Sequence, residues 1–310
     1  MTPSIERHRG KILATLLTSL GLGLLLAAPP ASARTLDTAY GEVSVEGQPA
    51  RVVTLYEGAL DTALAAGVMP LAAIATRGGD DVARYLQERA AGIAIVGTAR
   101  ETNIEAVAAQ RPDIILASPR LPETQYRLLS QIAPTLVPAV EPFSQGAWKQ
   151  EARFFAEALG REAPVETAID AVEERAATLR ANAAGNQTAT LARWMPQGAL
   201  LMSPRLFATE LLGDSGFTVL GGDSVPEGRP HSDPLSLENL SRLDGDWLFM
   251  ATLNAEGNDA LAAAKTSPAF ARLDVAKRGH VVPVDGQLWT SASGPLAADA
   301  ILDDIASARP

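Results

Sequence analysis

The sequence predicts an α/β fold of two lobes with mainly parallel sheets, joined by one long helix, with a ligand cleft between the lobes. Three observations lead there. Short apolar runs alternate with helical stretches from Arg51 onward, the same alternation restarts after residue 188, and a helical stripe separates the two series. Strands alternating with helices build parallel sheets with both faces covered. A single interruption then divides the chain in two.

In the first series the strand runs are 52–56, 71–76, 93–97, 114–117 and 135–140, with a helix over 59–66 closed by Gly67. In the second they are 188–192, 218–220, 246–250 and 280–284. Between them, residues 164–183 place Val165, Ala168, Ile169, Val172, Ala176 and Leu179 on one face of a 3.6-residue period. Asn182 and Gly185 supply its stop. A helix of about 20 residues spans roughly 30 Å, enough to join two lobes. The expected organisation is a signal peptide over 1–33, an N-terminal lobe over 34–148, a helical segment including the linking helix over 149–186, and a C-terminal lobe over 187–310.

Arg7, Arg9 and Lys11 precede an apolar run over 12–28, then Pro29-Pro30 and Ala31-Ser32-Ala33. Charge, apolar run and small-residue site in that order are an export signal, with cleavage expected after Ala33. The remainder holds no second run long enough to span a bilayer. The chain has no cysteine, so neither a disulfide nor a lipid-modified cysteine is available. A freely diffusing periplasmic monomer is expected. The formal charge is −10, which argues against a nucleic-acid partner because phosphate binding needs a basic footprint. A local arginine cluster can still accept an anion.

The two halves echo each other. Asn103, Glu105 and Asp113 are spaced as Ser236, Glu238 and Asp246 are, and each aspartate opens an apolar strand. Asn103 and Ser236 are expected to cap helices whose first turns carry the glutamates, where the helix dipole favours them.

Four stretches resemble the periplasmic binding proteins of iron-siderophore ABC importers, the group with the ferric dicitrate and ferric hydroxamate receptors. They are residues 51–55 through Asp61 and 65–71; Val96-Gly97-Thr98, then 103–107 with 111–115; Tyr126 through 132–135; and 236–240 with Asp246-Trp247, followed by Val284-Asp285 and Trp289 through 294–297. The resemblance implies a receptor that holds a ferric siderophore between its lobes and delivers it to the permease. It implies no catalysis and no cofactor, since the iron is wrapped by its chelator. It also implies that Glu105 and Glu238 dock on basic residues of the permease, one from each lobe. Haem and cobalamin receptors share this fold and remain alternatives, with Tyr126 or His231 as the haem-facing group.

Ligands of open α/β sheets bind beyond the carboxyl ends of the strands. Arg77, Arg100, Arg120, Arg193, Trp194 and Trp289 follow strand runs, and these with Tyr126 are the expected ligand contacts. Arginine pairs with carboxylate or hydroxamate oxygens through a charged fork, and the aromatics would cover apolar parts of a chelator. Arg205 and Arg229 are weaker candidates. Beyond the export signal the chain carries only His231 and His280, too few for a dedicated zinc or manganese site. Gly213-Asp214-Ser215-Gly216 imitates a serine-hydrolase loop, but a helix-to-strand turn capped by Gly213 explains it better.

Overall fold

The computed structural model describes residues 33–309 together with Met1. Apart from Met1 and Ala33, the expected signal peptide lies outside the described residues. The first strands, β1 (Arg34–Thr38) and β2 (Gly41–Val45), form an antiparallel hairpin. The first lobe's sheet comprises β3 (Val52–Leu55), β4 (Ala72–Ala75), β5 (Ala94–Thr98), β6 (Ile114–Ala117) and β7 (Thr135–Leu136). All are parallel, in the order β5-β4-β3-β6-β7. Its helices are α1 (Glu57–Ala65), α2 (Ile104–Ala109) and α3 (Glu123–Leu129).

The chain then crosses through α4 (Ala147–Leu159) and the 20-residue α5 (Glu162–Ala181). The second sheet holds β8 (Gln187–Met195), β9 (Gly198–Leu201), β10 (Phe217–Val219), β11 (Trp247–Thr252) and β12 (Val281–Asp285). Its order is β10-β8-β11-β12, parallel, with β9 antiparallel on β8. Around it lie α6 (Phe207–Asp214), α7 (Ala255–Lys265), the single-turn α8 (Pro268–Ala271) and α9 (Asp274–Lys277), α10 (Gly286–Ser291) and α11 (Pro295–Ala308). No helix among the described residues is long and apolar enough to cross a membrane.

Side chains alternate across each strand, and this sorts the core. Val52, Ile114 and Leu116 of the first sheet join Leu191, Phe249 and Ala251 of the second in one cluster, through α4, α5 and α11. The opposite sheet faces form separate clusters, around Val53, Ile115 and Val107 in one lobe and Trp194, Met250 and Phe270 in the other. A core shared through three helices makes the lobes one packed body rather than two loosely linked ones.

The spaced echo acquires a structural meaning. Asp113, just before β6, accepts hydrogen bonds from the backbone of Ala50 and Arg51 at the start of β3. Asp246, just before β11, accepts from Thr188 N at 2.8 Å, at the start of β8. In each lobe the aspartate ties two neighbouring parallel strands at the same place. The caps are less alike. Asn103 Oδ1 accepts from Ala106 N at 2.9 Å. Ser236 makes no such bond and opens a 3₁₀ helix over Leu237–Leu243, where its hydroxyl instead accepts from the Asn239 amide. The expected Gly213 cap is also displaced: α6 runs to Asp214, and Gly216 takes the positive φ of 95°.

Candidate ligand-binding cleft

The carboxyl ends of β3, β4, β5 and β6 all point one way, because the strands are parallel, and they deliver Glu57, Arg77, Arg100 and Arg120 to one edge of the first lobe. The second lobe answers with Arg193 on β8. Two adjoining cavities of about 330 and 610 Å³ meet there and share Arg77, Ala99, Arg100, Arg193 and His231, so they form one cleft. At its floor, Gly78 turns the chain with φ +80°, and a Cβ at that position would lie 3.0 Å from Leu253 of the other lobe. Glycine lets the two lobes approach there.

The cleft is electropositive in a chain that is negative overall. Arg77, Arg100, Arg120 and Arg193 have no carboxylate within 4.0 Å among the described residues, whereas most other arginines near acids are paired. Arg193 is buried, 3% exposed, and among the described residues its one side-chain hydrogen bond is long, 3.4 Å to Thr290 Oγ1. Burial, then the charge of Arg77, pull its guanidinium down to about 10. Arg77 is lowered too, by burial and by Arg100, with Glu57 acting in the opposite sense. Like charges held together without counter-ions store unfavourable energy that an anionic ligand would relieve.

Arg120 lies 5.9 Å from the Phe143 ring. Arg205, on the rim, lines a smaller recess that opens beside the cleft. Arg229 also borders the cleft but is paired with Asp233 at 2.9 Å. His231 borders both cavities, its Nδ1 2.7 Å from the Ser232 carbonyl.

The three expected aromatic contacts are each engaged within the protein. Trp194 was placed in a loop after a strand ending at 192, but β8 continues to Met195. Successive strand residues face opposite sides, so Trp194 points away from Arg193 and packs edge-on against Phe270, 4% exposed. Tyr126 stacks on Tyr40 with ring centroids 4.4 Å apart. The residue that holds it belongs to the turn of the β1–β2 hairpin, an element that was not expected. Trp289 lines the recess with part of its ring, but stacks on Phe249 at 4.9 Å and donates its Nε1 hydrogen to Asp304 at 2.7 Å. Its N–H is not free to orient a ligand.

Sequence reading missed Glu57, Tyr56 and Glu151. The rule that found the arginines, position just past a strand, applies equally to Tyr56 and Glu57; Glu151 is a mid-helix residue with no such signal. Tyr56 donates to Glu151 at 2.9 Å, and Glu57 accepts from the Thr76 hydroxyl. Burial raises both glutamates to about 7, against the bonds from Tyr56 and Thr76 and the charges of Arg120 and Arg77. In an unfolded chain a glutamate titrates near 4.3. The folded protein therefore binds more protons than the unfolded one between these values, so this contribution is complete below pH ~4 and is lost as pH rises through about 7. Thermal unfolding is expected at a lower temperature at pH 8 than at pH 5, and Glu57→Gln with Glu151→Gln should flatten that slope. A wild-type melting temperature that climbs across the window would contradict it.

Glu105, in the first turn of α2, and Glu238, in the 3₁₀ helix, are both exposed. Ser215 is fully buried and its hydroxyl has no hydrogen-bond partner among the described residues.

A family model described as periplasmic binding protein matches residues 52–288. A probable siderophore-binding lipoprotein, YfiY of Bacillus subtilis, is 29% identical over 88% of this chain and 86% of its own length. The Fe(3+) dicitrate-binding periplasmic protein FecB of Escherichia coli is 26% identical, over 91% of this chain and 92% of its own. Among solved structures, Staphylococcus aureus SirA complexed with staphyloferrin B superposes with a TM-score of 0.77 at 24% identity, covering 89% of this chain and 98% of that one.

Proposed function

Because this chain belongs to the periplasmic binding protein family, we propose that it carries a ferric siderophore of carboxylate or citrate type to an ABC importer. The observation that supports this most is the cluster of Arg77, Arg100, Arg120 and Arg193, unpaired and converging on one cleft. Guanidinium groups bind carboxylate oxygens through charge-assisted, often bidentate bonds. A chelate presenting several carboxylates fits four such groups better than a neutral hydroxamate does. FecB, named for ferric dicitrate, lends the same direction. The iron stays inside its chelator, and the arginines recognise the outer oxygens.

A binding role without catalysis agrees with the buried Ser215. Haem loses support with Tyr126 packed on Tyr40. The relatives include both periplasmic proteins and lipoproteins; with no cysteine to carry a lipid, the reading here is a free periplasmic form, cleaved after Ala33 and working as a monomer. Titration calorimetry with ferric citrate, a ferric hydroxamate, a ferric catecholate, haem and cobalamin tests the ligand class. Ferric citrate should bind saturably, in a single-site isotherm. No heat from any of the five would remove the receptor reading altogether.

Permease docking through Glu105 and Glu238 extends the proposal. Reversing both charges, Glu105→Lys with Glu238→Lys, is expected to abolish iron uptake while leaving ferric citrate affinity within about twofold, since neither side chain lines the cleft and exposed charges are screened. Loss of affinity in that variant would reject the docking assignment.

A further inference from the structure

Beside the cleft a recess of about 140 Å³ runs inward between α4, α6 and α10, sharing Tyr56, Arg120 and Ser291 with the arginine site. Its volume is close to the ~150 Å³ that accommodates a benzene-sized group. Five aromatic side chains line it: Trp148 and Phe207, edge to face at 5.6 Å, with Trp289, Tyr56 and Phe143. Polar side chains share the lining, Arg120, Arg205 and Glu210 among them, and three polar groups there keep an unused hydrogen-bonding atom. Glu151, only 8% exposed, takes one hydrogen bond, from Tyr56 to Oε2, and its Oε1 accepts none among the described residues. Trp148 Nε1 and Ser291 Oγ are buried without partners among the described residues. No basic side chain pairs with Glu151 within 4.0 Å among the described residues.

We propose that this recess is a second subsite, which takes a primary-amine arm of the ligand, its ammonium on Glu151 and its carbon chain or ring against the aromatic walls. The inference rests on the cleft being the siderophore site. A carboxylate framed by aromatic rings is a chemical match for an ammonium group: the ion pair supplies charge, and the ring faces attract the cation. The arrangement complements the cleft, where four cations await carboxylates, so the preferred chelate is zwitterionic, carrying acids at one end and an amine at the other. Such a ligand would be favoured over one of the same size with a neutral arm.

The probes are benzylamine and toluene, titrated at pH 8, where Glu151, at about 7, is ionised; Tyr56, Arg120, Arg205 and Glu210 are the other titratable groups on the walls. Trp148 and Trp289 report occupancy by fluorescence. Benzylamine is expected to bind wild-type protein and to lose at least tenfold in affinity in Glu151→Gln, an isosteric change that keeps an acceptor for Tyr56, while toluene binds both equally. Equal benzylamine binding to the two proteins, or none to wild type, overturns the subsite. A parallel loss of toluene also overturns it, since the variant would then have altered the recess as a whole. Ferric citrate titrated into wild-type protein reads the arginine cleft separately. If it fails while benzylamine shows the Glu151 dependence, the citrate reading falls and the amine site stands.

Discussion

Replacing Arg77 by alanine and Arg193 by methionine together is expected to weaken ferric citrate binding by roughly two to four orders of magnitude and to raise the melting temperature. Each charged hydrogen bond to the ligand contributes about 1.5–3 kcal/mol, and two neighbours need not add fully. A loss of about 3–5 kcal/mol follows, at 1.4 kcal/mol per tenfold. The stability gain has the opposite origin. Arg193 is buried without a counter-ion beside Arg77, and methionine fills its slot without a charge. Replacing buried charge by well-packed apolar volume gains about 1–4 kcal/mol in known cases, which at this chain length is roughly 2–4 °C per kcal/mol. Calorimetric titration and thermal melting check both signs. Undiminished affinity would show that the cluster does not hold the ligand, and a lower melting temperature would show that it is structural.

Asp61→Ala is expected to cost about 3–5 kcal/mol of folding stability, out of the 5–15 kcal/mol usual for a folded domain. Asp61 lies fully buried in α1, and its carboxyl accepts from Leu296 N at 3.0 Å, Ala297 N at 2.8 Å and the Tyr85 hydroxyl at 2.9 Å. It thereby caps the start of α11, a helix more than 230 residues further along the chain. Truncation would leave three donors buried without partners. Gly294 belongs to the same device: its φ is +117°, and a Cβ there would lie 2.4 Å from Asp61 Oδ1. Asp61→Asn keeps one accepting oxygen and should cost less than half as much. Urea denaturation of the three proteins checks the order, and an Asp61→Ala midpoint equal to that of wild type would contradict it.

The regular parts of this fold were legible because buried parallel strands are short apolar runs with turn residues at their ends. Ile114–Ala117 is such a run, and its observed bounds coincide with the expected ones. The long helix was legible from its stripe, displaced by two residues at each end. The β1–β2 hairpin was not, since Arg34–Val45 alternates weakly and its turn is anchored by distant chain: Ala39 N bonds to Val137 O at 2.9 Å. In the site, arginines following strands could be placed because parallel sheets send every carboxyl end to the same edge. Trp194 could not, because the last three residues of β8 decide its direction and strand ends are the least readable feature of a sequence. Glu151, and the role of Asp61, were invisible for a different reason. Each matters through partners from another element, Tyr56 for one and the start of α11 for the other, and no local pattern announces such a pairing.

The most direct test of the central reading is an iron anomalous-difference map from crystals grown with ferric citrate. The expected result is density for iron in the cleft, flanked by Arg77, Arg100, Arg120 and Arg193, with citrate oxygens and no protein side chain in its coordination shell. Iron bound to His231 or to surface carboxylates, or an empty cleft at a saturating concentration of the chelate, would contradict it.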